Sequence, residues 1–193
     1  LRILTGFVLA VTVGLLLGAC GARWRWFGTL VGPVMQLIRA MPVASFVILA
    51  LLWVSGKNLS VIVSFTHVLP VVYAGTVGGI ADTDPALLEM AKVYRLPLGK
   101  RLRYIWLPGM FPSFCENCIA AMGMCWKSGV SAEVIGLPDH SVGDALYRAK
   151  ITISTPEVFA WTLVIVLLSA TLSTLAAWAL RRAKRALCGE VEG

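Results

Sequence analysis

Five long apolar stretches, separated by shorter polar segments, dominate the pattern of hydrophobic and polar positions along the chain. They cover residues 3–21, 34–54, 59–80, 110–130 and 159–180. Each stretch is long enough, or nearly so, to cross about 30 Å of hydrocarbon as a helix. The runs are continuous rather than alternating, which favours helices over barrel strands. The pattern predicts an all-α polytopic membrane protein with about five transmembrane helices.

Composition supports a membrane location. Of the 193 residues, 58% are hydrophobic and 14% are charged, whereas soluble domains are nearer half apolar and a quarter charged. A soluble chain of this length cannot bury so much apolar surface, so the excess is expected to face lipid. No linker or low-complexity segment divides the sequence, and we predict a single transmembrane domain over residues 1–193.

The distribution of basic residues predicts the orientation. A net charge of +7 raises the question of nucleic acid in a soluble chain, but no nucleic-acid-binding motif accompanies it here. If all five stretches cross, one side holds Arg23, Arg25, Arg39, Lys92, Arg95, Lys100, Arg101, Arg103, Arg181, Arg182, Lys184 and Arg185. The other side holds Arg2, Lys57, Lys127, Arg148 and Lys150. The positive-inside rule places the first side, with the 81–109 loop and the C-terminus, in the cytoplasm.

The loop between the third and fourth stretches has the pattern of two short helices. Asp84 and Pro85 form a helix start, because Asp caps free amides and proline suits the first helical position. An apolar stripe at helical spacing follows, formed by Leu87, Met90, Ala91 and Tyr94. Residues 96–99 break that helix, and 100–106 predict a second one that ends at 107–108. The stripe requires a cover, which is either the protein's own helices and the lipid interface or a cytoplasmic partner.

The same loop resembles a motif of one transporter family. Permeases of binding-protein-dependent ABC importers carry Glu-Ala-Ala, three residues, Gly, nine residues and Ile-x-Leu-Pro in a loop at this position. This chain has Glu89-Met90-Ala91, three residues, Arg95, nine residues and Ile105-Trp106-Leu107-Pro108, so the spacing matches throughout. Met90 replaces the middle alanine and Arg95 replaces the glycine. Pro97 and Gly99 are therefore the candidates for the turn.

The resemblance covers essentially the whole chain. Residues 126–136 and 149–160 are similar to the branch of these permeases that serves nitrate, sulfonate, taurine and bicarbonate. Family members usually carry one more helix upstream of the first stretch, so the resemblance implies such a helix here.

The resemblance implies a permease subunit of an ABC importer in the bacterial cytoplasmic (inner) membrane, surrounded by lipid. A second permease subunit, most simply an identical one, would share the pathway, and an extracytoplasmic binding protein would deliver a small anion. A cytoplasmic ATPase dimer would grip the loop at about 82–108. The implied coupling residues are Glu89, Met90, Ala91, Arg95, Gly99, Ile105, Leu107 and Pro108.

Catalytic chemistry is not predicted for this chain. It contains no Gly-x-x-x-x-Gly-Lys-Ser/Thr phosphate loop, so ATP and magnesium are expected in the partner ATPase, and no cofactor or metal is expected here. The alternative function is a secondary transporter or channel that is not driven by ATP.

Charged and polar residues within the apolar stretches are candidates for function or for helix packing. Lys127 and Glu133 have two interpretations: an ion pair or snorkelling to the interface, or a contribution of Lys127 to an anion pathway. Glu116, Asn117 and His67 are predicted to form hydrogen bonds with neighbouring helices.

Overall fold

A computed structural model of the chain describes residues 2–188, apart from the side chains of Leu98 and residues 183–188. Within that range it contains nine α-helices and no strand, which confirms the all-α class. The helices are α1 (Arg2–Arg23), α2 (Arg25–Ala40), α3 (Val43–Ala50), α4 (Gly56–Ala81), α5 (Pro85–Val93), α6 (Leu98–Arg101), α7 (Leu107–Gly136), α8 (Val142–Ile151) and α9 (Thr155–Cys188). A π-helical turn, Leu102–Trp106, joins α6 to α7.

Three of the described helices are long and apolar enough to cross a membrane, namely α1, α4 and α9. The count becomes four if α2 and α3 together form one bent crossing. The remaining predicted span, 110–130, lies in α7, which has 30 residues but is not among the apolar candidates. Because α7 carries Glu116, Asn117 and Lys127 along its length, its hydropathy is lower, and five crossings stay a prediction.

The stretch 34–54, predicted as one span, is not one continuous helix. The chain bends by 99° between α2 and α3, where Met41 and Pro42 both have extended backbone angles. Proline cannot donate a backbone hydrogen bond and disfavours the helical conformation in the residue before it. If α2 and α3 cross the membrane together, that crossing is a broken helix with its break at Met41 and Pro42.

Small residues set the close packing of α1 on α4. Gly6, Ala10, Gly14 and Gly18 recur every four residues and are all buried. A Cβ on Gly6 would lie 2.5 Å from the Val61 carbonyl oxygen, and one on Gly18 would lie 2.5 Å from Thr76 Cβ. Such spacing of small residues lets helix backbones approach closely in a membrane. Since both partners advance together along the chain, α1 and α4 run parallel.

Helix α7 runs antiparallel to α4, and α9 runs antiparallel to α7. Gly79 of α4 packs on Met110, near the start of α7, whereas Gly136 at its end packs on Leu59. The Trp126 indole Nε1 of α7 donates to the Ile165 carbonyl of α9 (3.2 Å). The end of α1, the segment between α4 and α7, and the end of α9 consequently lie at one end of the bundle, as the charge pattern predicts.

The second loop helix does not end at residues 107–108. α6, the π turn and α7 follow one another from Leu98 to Gly136 without a break. Pro108 directly follows the π turn, and because the helix is continuous there, its missing N–H leaves one hydrogen bond of the helix unmade. Leu107 and Pro108 are therefore the first residues of α7 rather than the end of a loop helix.

Candidate functional site

The start of α5 is formed by the predicted cap. The Asp84 carboxylate Oδ1 accepts a hydrogen bond from the Ala86 N–H (2.8 Å), and Pro85 is the first helical residue. The acceptor satisfies an amide that has no partner within the helix. The cap fixes where α5 begins, directly after α4 ends.

Helix α5 presents an uncovered apolar face. Leu87, Met90, Val93 and Tyr94 are all exposed, with Val93 and Tyr94 78% and 73% accessible. In the described part of the chain, no other helix packs extensively against α5. Exposed apolar area concentrated on one helix marks an interaction surface. We call these four side chains the outer face of α5.

Ala91 departs from the predicted stripe. It is 2% exposed, so it packs against the chain itself while Leu87, Met90 and Tyr94 point away. Its small side chain therefore allows α5 to pack closely against the rest of the chain, and it does not lie on the outer face.

The Glu89 carboxylate has no partner within the described residues. Glu89 is exposed, and no hydrogen bond or ion pair to another described residue involves it. An exposed carboxylate on a short helix is free to accept charge-assisted hydrogen bonds from another molecule.

Arg95 makes the turn after α5 itself. Its φ is 49°, in the left-handed region that glycine occupies most readily. The Leu96 N–H donates to the Ala91 carbonyl (3.0 Å) and the Arg95 N–H donates to the Lys92 carbonyl (3.1 Å). This pair of bonds is the Schellman ending of a helix. The expectation that Pro97 and Gly99 replace the family's glycine is wrong, because Gly99 lies within α6 with no positive φ.

The two ends of the loop pack tightly against each other. A Cβ on Gly109 would lie 3.2 Å from the Thr83 hydroxyl oxygen, and one on Gly79 would lie 2.8 Å from the Met110 carbonyl oxygen. Thr83 and Ile105 are also buried. Because backbone rather than flexible side chains meets at Gly79 and Met110, a displacement of the loop must move the ends of α4 and α7 together.

One stripe of α7 carries exposed polar groups along a helix of the bundle. Its members, at steps of three or four residues, are Glu116, Ala120, Met124, Lys127 and Ser131. Neither Glu116 nor Lys127 forms an ion pair or side-chain hydrogen bond with the other described residues. The prediction that Glu116 bonds a neighbouring helix is therefore wrong for the single chain, and this α7 stripe stays uncovered.

Lys127 and Glu133 do not form the ion pair that was one of the alternatives. Glu133 is buried, whereas Lys127 is exposed, and the Glu133 Oε2 accepts a hydrogen bond from the Gly143 N–H of α8 (3.3 Å). Gly143 also packs directly against Glu133, with no room between them for a Cβ on residue 143. Glu133 thus holds the start of α8, where a negative charge is favourable. At the other end of α8, the hydrogen bond from Arg148 to Asp144 raises the pKa of the Arg148 guanidinium.

Asn117 and His67 both pack between helices, but not through hydrogen bonds across them. The Asn117 amide nitrogen donates to the Ser113 carbonyl of its own helix (2.9 Å), and the side chain lies against Gly75 of α4. The His67 ring meets Phe46 of α3 edge-on, with centroids 6.0 Å apart, and its Nε2 has no partner. The prediction of interhelical hydrogen bonds is wrong for both side chains.

Arg39 is not at the basic end of the bundle, where the sequence placed it. It belongs to the last turn of α2 and lines a cavity together with Pro70 and Tyr73 of α4. Sequence reasoning also missed Thr83 and Gly109. The local signal for Arg39 was available, since it stands three residues before Pro42.

Comparisons with known proteins agree with this architecture. Residues 10–187 match the family described as the binding-protein-dependent transport system inner membrane component. The SsuC protein of Bacillus subtilis (strain 168), whose name describes an aliphatic sulfonates transport permease, is 26% identical over 82% of the chain. The nitrate import permease protein NrtB of Synechococcus elongatus is 25% identical over 92% of the chain. The chain spans 58% of SsuC and 64% of NrtB.

The fold also matches a solved structure. A crystal structure of an amino acid ABC transporter with histidines superposes with a TM-score of 0.61 at 20% identity, over 93% of this chain and 90% of that one. The helical arrangement of this solved structure agrees with the family match, which covers nearly the full length of the chain. The chain belongs to the binding-protein-dependent transport system inner membrane components, with relatives among the sulfonate and nitrate permeases.

Proposed function

We propose that this chain is the membrane-spanning permease subunit of an ABC importer and that the outer face of α5 binds a separate cytoplasmic ATPase. The observation that carries the proposal is an apolar helix face left uncovered at the most basic end of the bundle. A helix of this kind fits a hydrophobic groove on a partner through residues spaced three and four apart. The family match supports an ATPase as that partner.

The docking chemistry combines apolar contact with one charge. Leu87, Met90 and Val93 supply exposed apolar area, and the Glu89 carboxylate supplies an acceptor for a donor on the ATPase. Arg95, Gly99, Ile105, Leu107 and Pro108 are proposed to act through the shape of the loop. Arg95 turns the chain, and buried Ile105 anchors the π turn. Ala91 is proposed to seat α5 rather than to contact the partner.

Force transmission follows from the tightly packed ends of the loop. When the ATPase subunits close on ATP, they would pull α5, and the Thr83–Gly109 and Gly79–Met110 contacts would pass the movement to α4 and α7. Rigid movement of packed helices is a known way to alternate access to a central site. Hydrolysis of ATP and the binding of magnesium belong to the ATPase in this scheme, and the permease performs no catalysis.

The translocation pathway is proposed to run along the α7 stripe, between this subunit and an identical second one. Polar groups cannot face hydrocarbon without a large free-energy cost, so Glu116, Lys127 and Ser131 favour a protein interface or a water-filled path. Lys127 would add positive potential to it. An extracytoplasmic binding protein would deliver the solute.

The solute is proposed to be a small anion of the nitrate or sulfonate type. The positive charge of Lys127 supports this class, and so do the sulfonates and the nitrate named for the relatives SsuC and NrtB. We further propose that residues 1–193 act as one domain in the bacterial inner membrane. The loop and the C-terminus would lie in the cytoplasm.

Co-purification tests the docking surface. Val93→Asp places a charge on the outer face of α5, and Ile151→Asp makes the same change at an exposed position (60% accessible) at the opposite end of the bundle. The full-length permease carrying Val93→Asp should recover at least tenfold less ATPase than the parent, because a buried unpaired charge at an interface costs more than about 1.4 kcal/mol. Ile151→Asp should recover the parental amount. Equal recovery by both variants contradicts the assignment.

A further inference from the structure

The break between α2 and α3 holds an unpaired positive charge beside a cavity. Arg39 lies in the last turn of α2, and two residues later the chain turns by 99° into α3. Next to the break lies a cavity of about 450 Å³, lined by Gly32, Gln36, Arg39, Pro70, Tyr73 and Gly78 among others. Only the described residues define this cavity, and none of the residues that line it is acidic.

The cavity extends from the middle of the membrane, at Pro70, towards the basic end of the bundle, at Gly78. Pro70 is 11 residues from the start and 10 from the end of the predicted span 59–80, which places it about 15 Å from either surface at 1.5 Å per residue. Arg39 lines the same cavity as Pro70, so its position on α2 is deep in the span rather than at the basic end. A charge at this depth is rare and marks a functional position by default.

Arg39 has no counter-charge among the described residues. It is exposed in the single subunit, and across residues 2–188 no carboxylate or carbonyl is recorded within bonding distance of its side chain. Exposure to lipid at this depth would be costly. The guanidinium is therefore expected to face either water and solute or a second subunit.

We propose that Arg39, with Gln36 beside it, forms a binding subsite for a small oxyanion within the translocation pathway. The subsite rests on the proposed importer function and adds to it a named site at mid-membrane depth. A guanidinium offers parallel N–H donors that match two oxygens of a planar or tetrahedral oxyanion, and the Gln36 amide adds a donor one turn away on α2.

The cavity accommodates such a ligand. Neither Gly32 nor Gly78 has an atom within 4 Å of the position that a Cβ would occupy, so the glycines leave open space where side chains would otherwise fill it. Broken helices that line a cavity at mid-membrane depth are a recurring way to build solute sites. Monovalent oxyanions such as nitrate and alkyl sulfonates are the class that one arginine and one amide suit.

The test uses the full-length permease with its ATPase and binding protein in proteoliposomes, with nitrate and ethanesulfonate as probes. Arg39→Gln removes the charge and Arg39→Lys keeps it without the two-pronged geometry. Arg25→Gln is the matched control, because Arg25 is exposed at the other end of the same helix. ATP-driven uptake of the transported probe, complex recovery and thermal stability are measured for each variant.

The subsite predicts that Arg39→Gln lowers uptake at least tenfold, that Arg39→Lys is intermediate, and that Arg25→Gln matches the parent. Recovery and thermal stability should stay at the parental level in all three. Four results overturn the subsite. In the first, the Arg39→Gln variant takes up the probe normally. In the second, it loses stability together with uptake, which indicates a structural role. Arg39→Gln combined with Glu116→Gln restores uptake, which indicates an ion pair between two copies. Parental uptake requires anionic lipid and Arg39→Gln abolishes that requirement, which indicates a lipid phosphate.

One further result separates this inference from the function on which it rests. If the parental complex takes up neither nitrate nor ethanesulfonate, the proposed anion specificity fails and the subsite falls with it. If the parent transports a probe and Arg39→Gln does so equally well, the importer function stands and the subsite alone is rejected.

Discussion

Gly79 of α4 lies directly against Met110 of α7, so that a Cβ on Gly79 would come within 2.8 Å of the Met110 carbonyl oxygen. The contact joins backbone to backbone at the base of the loop that carries α5. A flexible side chain between the two helices would absorb part of a displacement, whereas a backbone contact passes it on. The closeness of these two residues is thus the physical basis of the proposed coupling.

The first prediction concerns this contact. Gly79→Ala should destabilise the permease by about 1–3 kcal/mol, because overpacking against a backbone oxygen forces the helices apart. Gly78→Ala is the matched control, since Gly78 is the neighbouring helical glycine and has open space around it. Thermal denaturation of the purified protein measures both variants. A Gly79→Ala protein as stable as the Gly78→Ala protein would show that the contact is loose.

The second prediction concerns the strained turn after α5. Arg95→Gly should stabilise the turn by about 1 kcal/mol, because glycine adopts a positive φ without the steric cost that arginine bears. Hydrogen exchange of the Leu96 amide, which bonds to the Ala91 carbonyl, should then slow about fivefold. Arg95→Ala removes the same charge but keeps the strain, so its exchange should not slow. Faster exchange in Arg95→Gly than in the parent is incompatible with this account.

Much of the fold is predictable because the features that encode it are local. Apolar runs locate α1, α4 and α9, and the Asp84–Pro85 pair locates the start of α5. Close packing of α1 against a neighbouring helix could also have been predicted, since Gly6, Ala10, Gly14 and Gly18 repeat every four residues. The break at Met41 and Pro42 was missed because continuous hydrophobicity hides a bend that one proline causes.

The candidate site is less predictable because it depends on which groups meet in space. Ala91 fits the helical spacing of the outer face, yet its own chain covers it. Glu133 follows Lys127 by six residues, but it bonds Gly143 of α8 instead. Arg39 lies within the stretch 34–54, although the charge pattern groups it with the loop residues, and the packing of α2 on α4 shows its depth. In each case a contact between distant segments overrides the local pattern.

The third prediction concerns Lys127. Lys127→Met should slow ATP-driven uptake while leaving assembly unchanged, because it removes positive potential from the α7 stripe. The double variant Lys127→Met with Glu133→Leu should not restore uptake, since Glu133 has its own partner on α8. Uptake by reconstituted complexes decides this, with complex recovery as the control. Restored uptake in the double variant would contradict this account and show that Lys127 and Glu133 form an ion pair.

The fourth prediction concerns orientation. Single cysteines at positions 82, 58 and 139 of a cysteine-free variant are exposed probes, and the packing of Gly56 on Gly136 puts positions 58 and 139 at one end of the bundle. A membrane-impermeant thiol reagent should label positions 58 and 139 in intact cells, and position 82 only after permeabilisation. Labelling of position 82 from outside intact cells would show that the orientation is the reverse of the predicted one.

The central claim is that a separate ATPase drives this permease, and solute uptake with and without that partner tests it most directly. Proteoliposomes containing the full-length permease and its ATPase, with binding protein on the uptake side, are compared with proteoliposomes containing the permease alone, using nitrate and ethanesulfonate. Uptake should require both the ATPase and hydrolysable ATP, and an ion gradient should not replace them. Uptake by the permease alone under an ion gradient would contradict the account and identify a secondary transporter.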